Sequence, residues 1–185
     1  GDGKISYAMF MGQLGNAEAI YRTQFAVEDA DKIITDAGKP ALEYFDASNS
    51  DKYQVDQDGN WSATAANNYM TTNLSQYNEG SNNIIELVIC NNDGMALGAA
   101  AAIEAAGRTV GKDIYLLGVD ALDECQEMVQ KGTMTGTVLN DANGQATQAV
   151  ECMEELLGGK TYAAGEQSVY VDYVKVTPDN VKDFQ

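Results

Sequence analysis

The chain has 185 residues, with 28 acidic against 11 basic side chains, a net charge of −17 and no histidine. Phosphate-backbone binding needs clustered Lys and Arg, and this balance argues against it. The absence of imidazole removes Ser–His and Cys–His pairings and His-based zinc sites, and the length suits one domain with a full core or one domain with an appendage.

Residues 5–10 alternate and then run apolar, predicting a first strand that ends at Gly12-Gln13-Leu14-Gly15. A helix follows over 16–37, with Ala19, Ile20, Phe25, Ala26, Ala30, Ile33 and Ile34 on one stripe, and Gly38-Lys39-Pro40 stops it. Residues 41–45 read as a second strand. The polar stretch 46–60 is a loop, and its Asp56-Gln57-Asp58-Gly59-Asn60 lacks the later Glu that a calcium loop needs. Trp61, the single tryptophan, opens a helix reaching residue 77.

The run 84–90 reads as a strand buried on both faces, as in a parallel sheet. It ends at Asn91-Asn92-Asp93-Gly94, where an Ala-rich helix over 95–106 begins. Residues 113–119 form a fourth strand ending at Asp120, followed by a short helix over 121–131 that Gly132 stops. Residues 133–139 form a fifth strand ending at Asn140, followed by an amphipathic helix over 141–157. Residues 168–176 alternate and read as an edge strand or hairpin, and Thr177-Pro178-Asp179-Asn180 starts a terminal turn. Cys90, Cys125 and Cys152 fall in a strand and two helices without CxxC spacing, so buried free thiols are expected. No apolar run is long enough to span a membrane.

Strands alternating with helices at a steady interval predict an α/β fold, a parallel sheet with helices on both faces. In such sheets ligands bind beyond the carboxyl ends of the strands. Three strand ends deliver Asn92, Asp120 and Asn140 there, and the helix after the first strand contributes Asn16, Glu18 and Arg22. Glu18 and Arg22 are four residues apart and share a helix face. Capping and a surface ion pair are the plain alternatives for these residues. Together they supply carboxylates, a guanidinium fork and planar amides, which suit the paired hydroxyls of a sugar. Trp61 would offer a flat apolar surface for the sugar's C–H face.

The motifs Asn92-Asp93-Gly-Met-Ala-Leu-Gly, Gly118-Val-Asp120-Ala-Leu and Gly136-Thr-Val-Leu-Asn140-Asp-Ala-Asn resemble the periplasmic glucose/galactose-binding proteins of sugar ABC transporters. The resemblance runs along essentially the whole chain but covers only the later part of such a protein, from its calcium loop onward. It implies a Rossmann-like or flavodoxin-like sheet forming one lobe of a type I periplasmic binding protein. Residues 1–140 would belong to the second lobe, 141–160 to a helix crossing to the first lobe, and 161–185 to a return segment. It implies that Arg22, Asn92, Asp120 and Asn140 match sugar-binding positions and Trp61 the stacking position. Asn16 stands where the family usually has His, and Glu18 where it has Asp, so the choice between galactose, glucose and another monosaccharide stays open.

The resemblance also implies a calcium loop, with Asp2, Lys4 and Ser6 at loop positions and Glu86 as the remote bidentate ligand. Further ligands would lie ahead of residue 1, so weak or absent calcium binding is expected from this chain, and Ca2+ binding from an intact parent. The implied partners are a monosaccharide, an ABC transporter permease and a chemoreceptor, in the periplasm or outside the cell, with or without a lipid anchor. The crossing helix, deprived of its lobe, is expected either to pack on its own sheet or to pair two chains into a homodimer. Two other functions compete with this one. A sugar-responsive transcription regulator would need a DNA-binding helix pair and a basic segment, and neither is present. A glycoside-processing enzyme would use Asp120 with Glu124 or Glu18, without a nucleophile motif. The chain therefore reads as a non-catalytic binder.

Overall fold

The computed structural model describes residues 3–78, 80, 84–163 and 169–184. Its elements follow in chain order as β1 (Ser6–Met11), α1 (Ala17–Asp36), β2 (Glu43–Tyr44), β3 (Gln54–Val55) and α2 (Ala63–Gln76). Then come β4 (Leu87–Cys90), α3 (Asp93–Ala105), β5 (Tyr115–Leu117), α4 (Asp123–Lys131), β6 (Thr137–Leu139), α5 (Ala142–Leu157) and β7 (Val174–Val176), closed by a 3-10 turn over Val181–Phe184.

β1 lies within a parallel sheet ordered β2-β1-β4-β5, and β3 pairs with the last two residues of β1. All six residues of β1 are buried, as expected of a strand covered on both faces. Its alternation sorts the layers. Tyr7 and Met11 line a cleft with Ile20, Thr23 and Val27 of α1, whereas Phe10 stacks on Tyr69 of α2. Met70 and Leu74 of α2 and Met95, Ala99 and Ile103 of α3 join Val88 and Leu116 in the main core.

Four helices begin where the sequence has a side-chain acceptor. Asn16, Ser62, Asn92 and Asp141 accept from the backbone N–H three residues on, satisfying an otherwise orphaned donor. α4 has no such cap and starts two residues later than its sequence pattern suggests, because Asp120 and Ala121 both adopt positive φ.

The strands are shorter than the apolar runs that announce them, and β3 forms inside the stretch read as loop, where Gln54 and Val55 pair with Phe10 and Met11. The expected edge strand shrinks to β7, antiparallel to β6, and Ser168 lies outside the described residues. β6 meets β5 through one parallel bridge, Leu117 with Gly136. Between α1 and this β6–β7 pair the sheet keeps an open apolar groove of about 660 Å³, lined by Phe25, Ile89, Leu117, Val138 and Val176 among others. Helices flank the sheet as expected, and this groove leaves the cover on one side incomplete. α5 buries no residue, and Val150, Met153, Leu156 and Leu157 are exposed, so it does not pack on its own sheet.

Candidate functional site

The site is built around Arg22, in the second turn of α1. Its Nη1 donates to the Asn91 carbonyl at 2.9 Å and its Nη2 to the Tyr173 hydroxyl at 3.2 Å. The guanidinium lies 5.7 Å from the Trp61 ring centroid and 5.8 Å from that of Tyr173, within cation–π range of both. Glu18 and Asp120 flank it at 3.6 and 3.8 Å, too far for a hydrogen bond. The cation therefore gives one N–H from each terminal nitrogen to a neutral oxygen and keeps the others, while the two carboxylates keep acceptor capacity. Its Nε is buried and without a hydrogen-bond partner in the structure.

Asn91 holds this arrangement. It is buried at the end of β4, accepts from the Gly12 N–H at 3.2 Å, and donates to the Thr23 hydroxyl at 3.0 Å. One amide thereby ties the ends of β1 and β4 to the helix carrying Arg22. Trp61, at φ 55, lays its indole over Gly12, where a Cβ would stand 2.0 Å from Cδ2. The turn ahead of Trp61 is pinned by Asp56, whose carboxylate accepts from the N–H groups of Asp58 and Ser62.

Asp120 sits in the strained turn after β5. Burial pushes its carboxyl above the ordinary range and Asp93 adds to the rise, while Arg22 and a hydrogen bond from Asn140 pull the other way. Asn140 reaches Asp120 from the end of β6 and also accepts from Gln145 at 2.6 Å. Of the residues singled out in the sequence, Glu18, Arg22, Trp61, Asp120 and Asn140 thus meet around one space. Asn92 is adjoining: its amide and the Trp61 carbonyl flank Gly94, each 3.5 Å from where a Cβ would stand. Asn16 caps α1 and donates to Gln13 at 3.5 Å, so its amide serves the start of the helix. Sequence reasoning misses Asn91 and Tyr173. The local signal around Asn91 belongs to its neighbour, the helix cap Asn92, and Tyr173 is 151 residues from Arg22, a distance no local pattern spans.

The expected calcium ligands are only partly together. Ser6 and Glu86 are joined by two hydrogen bonds, Ser6 N–H to Glu86 Oε2 at 3.1 Å and Glu86 N–H to the Ser6 carbonyl at 2.9 Å. Lys4 pairs with Glu43, and Asp2 lies outside the described residues. Among the described residues no three carboxylate, thiolate or imidazole groups cluster. Cys90 and Cys125 are buried free thiols, and Cys152 is a half-buried one.

The family described as the periplasmic binding protein domain matches residues 1–161. The D-galactose/methyl-galactoside binding periplasmic protein of Haemophilus influenzae is 33% identical over 99% of this chain and 51% of its own length. A putative rhizopine-binding protein of Rhizobium meliloti is 32% identical over 100% of the chain and 52% of its own. A solved ABC transporter solute-binding protein from Bacillus halodurans with bound myo-inositol superposes with a TM-score of 0.75 at 27% identity, covering 99% of this chain and 55% of that one. The chain spans about half the length of the relatives it matches.

Proposed function

The chain belongs to the periplasmic binding protein domain family, and from that premise we propose that it is one lobe of a sugar-binding component of an ABC importer. The observation that carries this reading is Arg22 held between Glu18 and Asp120, under Trp61 and Tyr173, at the carboxyl edge of the parallel sheet. A neutral polyhydroxylated ring suits that space. Glu18 and Asp120 accept from its hydroxyls, Arg22 and Asn140 serve its oxygens, and the Trp61 indole covers its C–H face. Two carboxylates to one guanidinium, in a chain of net charge −17, disfavour an anionic ligand. Binding of this kind needs no covalent step, and the chain acts as a carrier, not an enzyme.

The same reading places the chain in the periplasm or at the outer cell surface, delivering its monosaccharide to a permease and signalling through a chemoreceptor. Ca2+ would be held only in a longer chain that adds ligands to Glu86 and Ser6. The uncovered stripe of α5 would pair two copies of the isolated chain.

One lobe excludes water from only part of a ligand, so its affinity should be about millimolar or weaker. Calorimetry with galactose, glucose, allose, ribose and myo-inositol tests this on the 185-residue chain and on a longer chain carrying a second lobe. The longer chain should bind at least one of them about 100-fold tighter. Absence of binding by both would overturn the sugar reading, and micromolar binding by the short chain would overturn the single-lobe reading.

A further inference from the structure

Asp120 reaches the site from a turn that its own backbone disfavours. Asp120 has φ 123 and Ala121 has φ 56, two consecutive non-glycine residues in the region L side chains avoid. Such strain persists only where surrounding contacts over-determine it. Here those contacts converge on Asp93, a fully buried carboxylate in the first turn of α3. One oxygen accepts from the Leu122 N–H at 2.8 Å and the other from the Thr137 hydroxyl at 2.7 Å. The Thr137 oxygen accepts in turn from the Ala121 N–H at 3.3 Å. The Asp120 N–H donates to the Val138 carbonyl at 2.8 Å. Gly118 leaves room for the carboxylate, since a Cβ there would stand 2.3 Å from Asp93 Oδ1.

We propose that Asp93 and Thr137 are positioning residues for the binding site: the carboxylate and the hydroxyl lock the Asp120–Ala121 turn and so fix where the Asp120 carboxylate points. Both groups act through the turn and not on the ligand. The inference rests on the sugar reading for its consequence but not for its geometry. The hydroxyl is the joint that matters. It donates to Asp93 and accepts from Ala121 through one oxygen, so valine, of nearly the same shape, removes both bonds, whereas serine keeps them.

The test uses the 185-residue chain labelled for NMR, with Thr137→Val, Thr137→Ser and Asp93→Asn. Two readouts need no sugar: the HN–Hα couplings of Asp120 and Ala121, and the titration of the Asp120 side-chain carboxyl carbon. Thr137→Val should move both, the titration midpoint by about half a pH unit or more, and Thr137→Ser should restore both. Should Thr137→Val fail to fold, Asp93→Asn against Thr137→Ser carries the same comparison. The sugar identified by calorimetry then closes a double-mutant cycle. Thr137→Val should lower affinity about tenfold beside Asp120 but less than about twofold beside Asp120→Asn. A folded Thr137→Val chain with unchanged couplings and midpoint would overturn the proposal, as would equal losses of affinity in both backgrounds. If the turn responds but neither the 185-residue chain nor a longer chain carrying a second lobe binds a sugar, the sugar reading falls and the control of Asp120 stands.

Discussion

Gly12 is the residue on which the aromatic wall of the site depends. The Trp61 indole occupies the volume a Cβ would take, with Cδ2 at 2.0 Å and Cε3 at 2.2 Å from it. Atoms cannot share that space, and the backbone below is fixed by the Asn91 side chain. Gly12→Ala must therefore lift the indole and break its approach to Arg22. The expected result is a red-shifted emission from the single tryptophan and sugar affinity lowered about tenfold. Stability should fall by about 1–3 kcal/mol, because the indole leaves both its cation–π pair and its packing on Met11, Ala19 and Val55. Fluorescence with calorimetry reads the first two and urea unfolding the third. An unshifted emission would mean that the indole does not rest on Gly12 in solution.

At the scale of elements, the turn between β3 and α2 behaves as a unit with its own pH response. Burial pushes the Asp56 carboxyl up, but hydrogen bonds from the N–H groups of Ser62 and Asp58 outweigh it, and the net shift is below the ordinary 3.8. A carboxyl with a depressed folded pKa contributes stability that is present above its unfolded pKa and is lost as pH falls through the folded one. Trp61, five residues on, should report the release as a fluorescence change with a midpoint below 3.8. Asp56→Asn should remove that acid step and resemble the acid state of the parent at neutral pH. Identical acid titrations of the two would show that another group holds the turn.

Helix starts were legible because Asn16, Ser62, Asn92 and Asp141 act locally, each accepting from a backbone N–H three residues on. The central strands were legible because burial on both faces leaves a continuous apolar run. β3 was not, since its two residues pair with β1 through backbone groups that carry no side-chain signature. The positive φ values at Asp120 and Ala121 were equally hidden: neither is glycine, and the groups that hold them there, Asp93 and Thr137, come from other elements. Proximity of Glu18, Arg22 and Asp120 followed from the shared carboxyl edge of a parallel sheet and that of Trp61 from the family resemblance, but Tyr173 needed the return of the chain along β6.

For the whole molecule, the decisive imbalance is between a largely buried central sheet and the exposed apolar side of α5. Val150, Met153, Leu156 and Leu157 are 53–86% exposed on one side of α5, and grouped apolar side chains of this kind mark an interaction surface. Pairing two copies through it would hide the stripe, yet Glu151, Glu154 and Glu155 lie on the same helix, which has no basic residue. Two such helices repel at low ionic strength, and salt relieves the repulsion because exposed charges are screened beyond about 10 Å at 0.1 M. Sedimentation of the isolated chain should show a monomer–dimer equilibrium that tightens between about 0.05 and 0.5 M salt. Met153→Glu with Leu157→Glu should leave a monomer at every salt concentration, without loss of the core fold, since neither residue is buried. A dimer that instead loosens with salt would be held by opposite charges, and would point away from α5. In a longer chain whose second lobe covers this helix, the stripe has a partner already, so the same centrifugation should find a monomer.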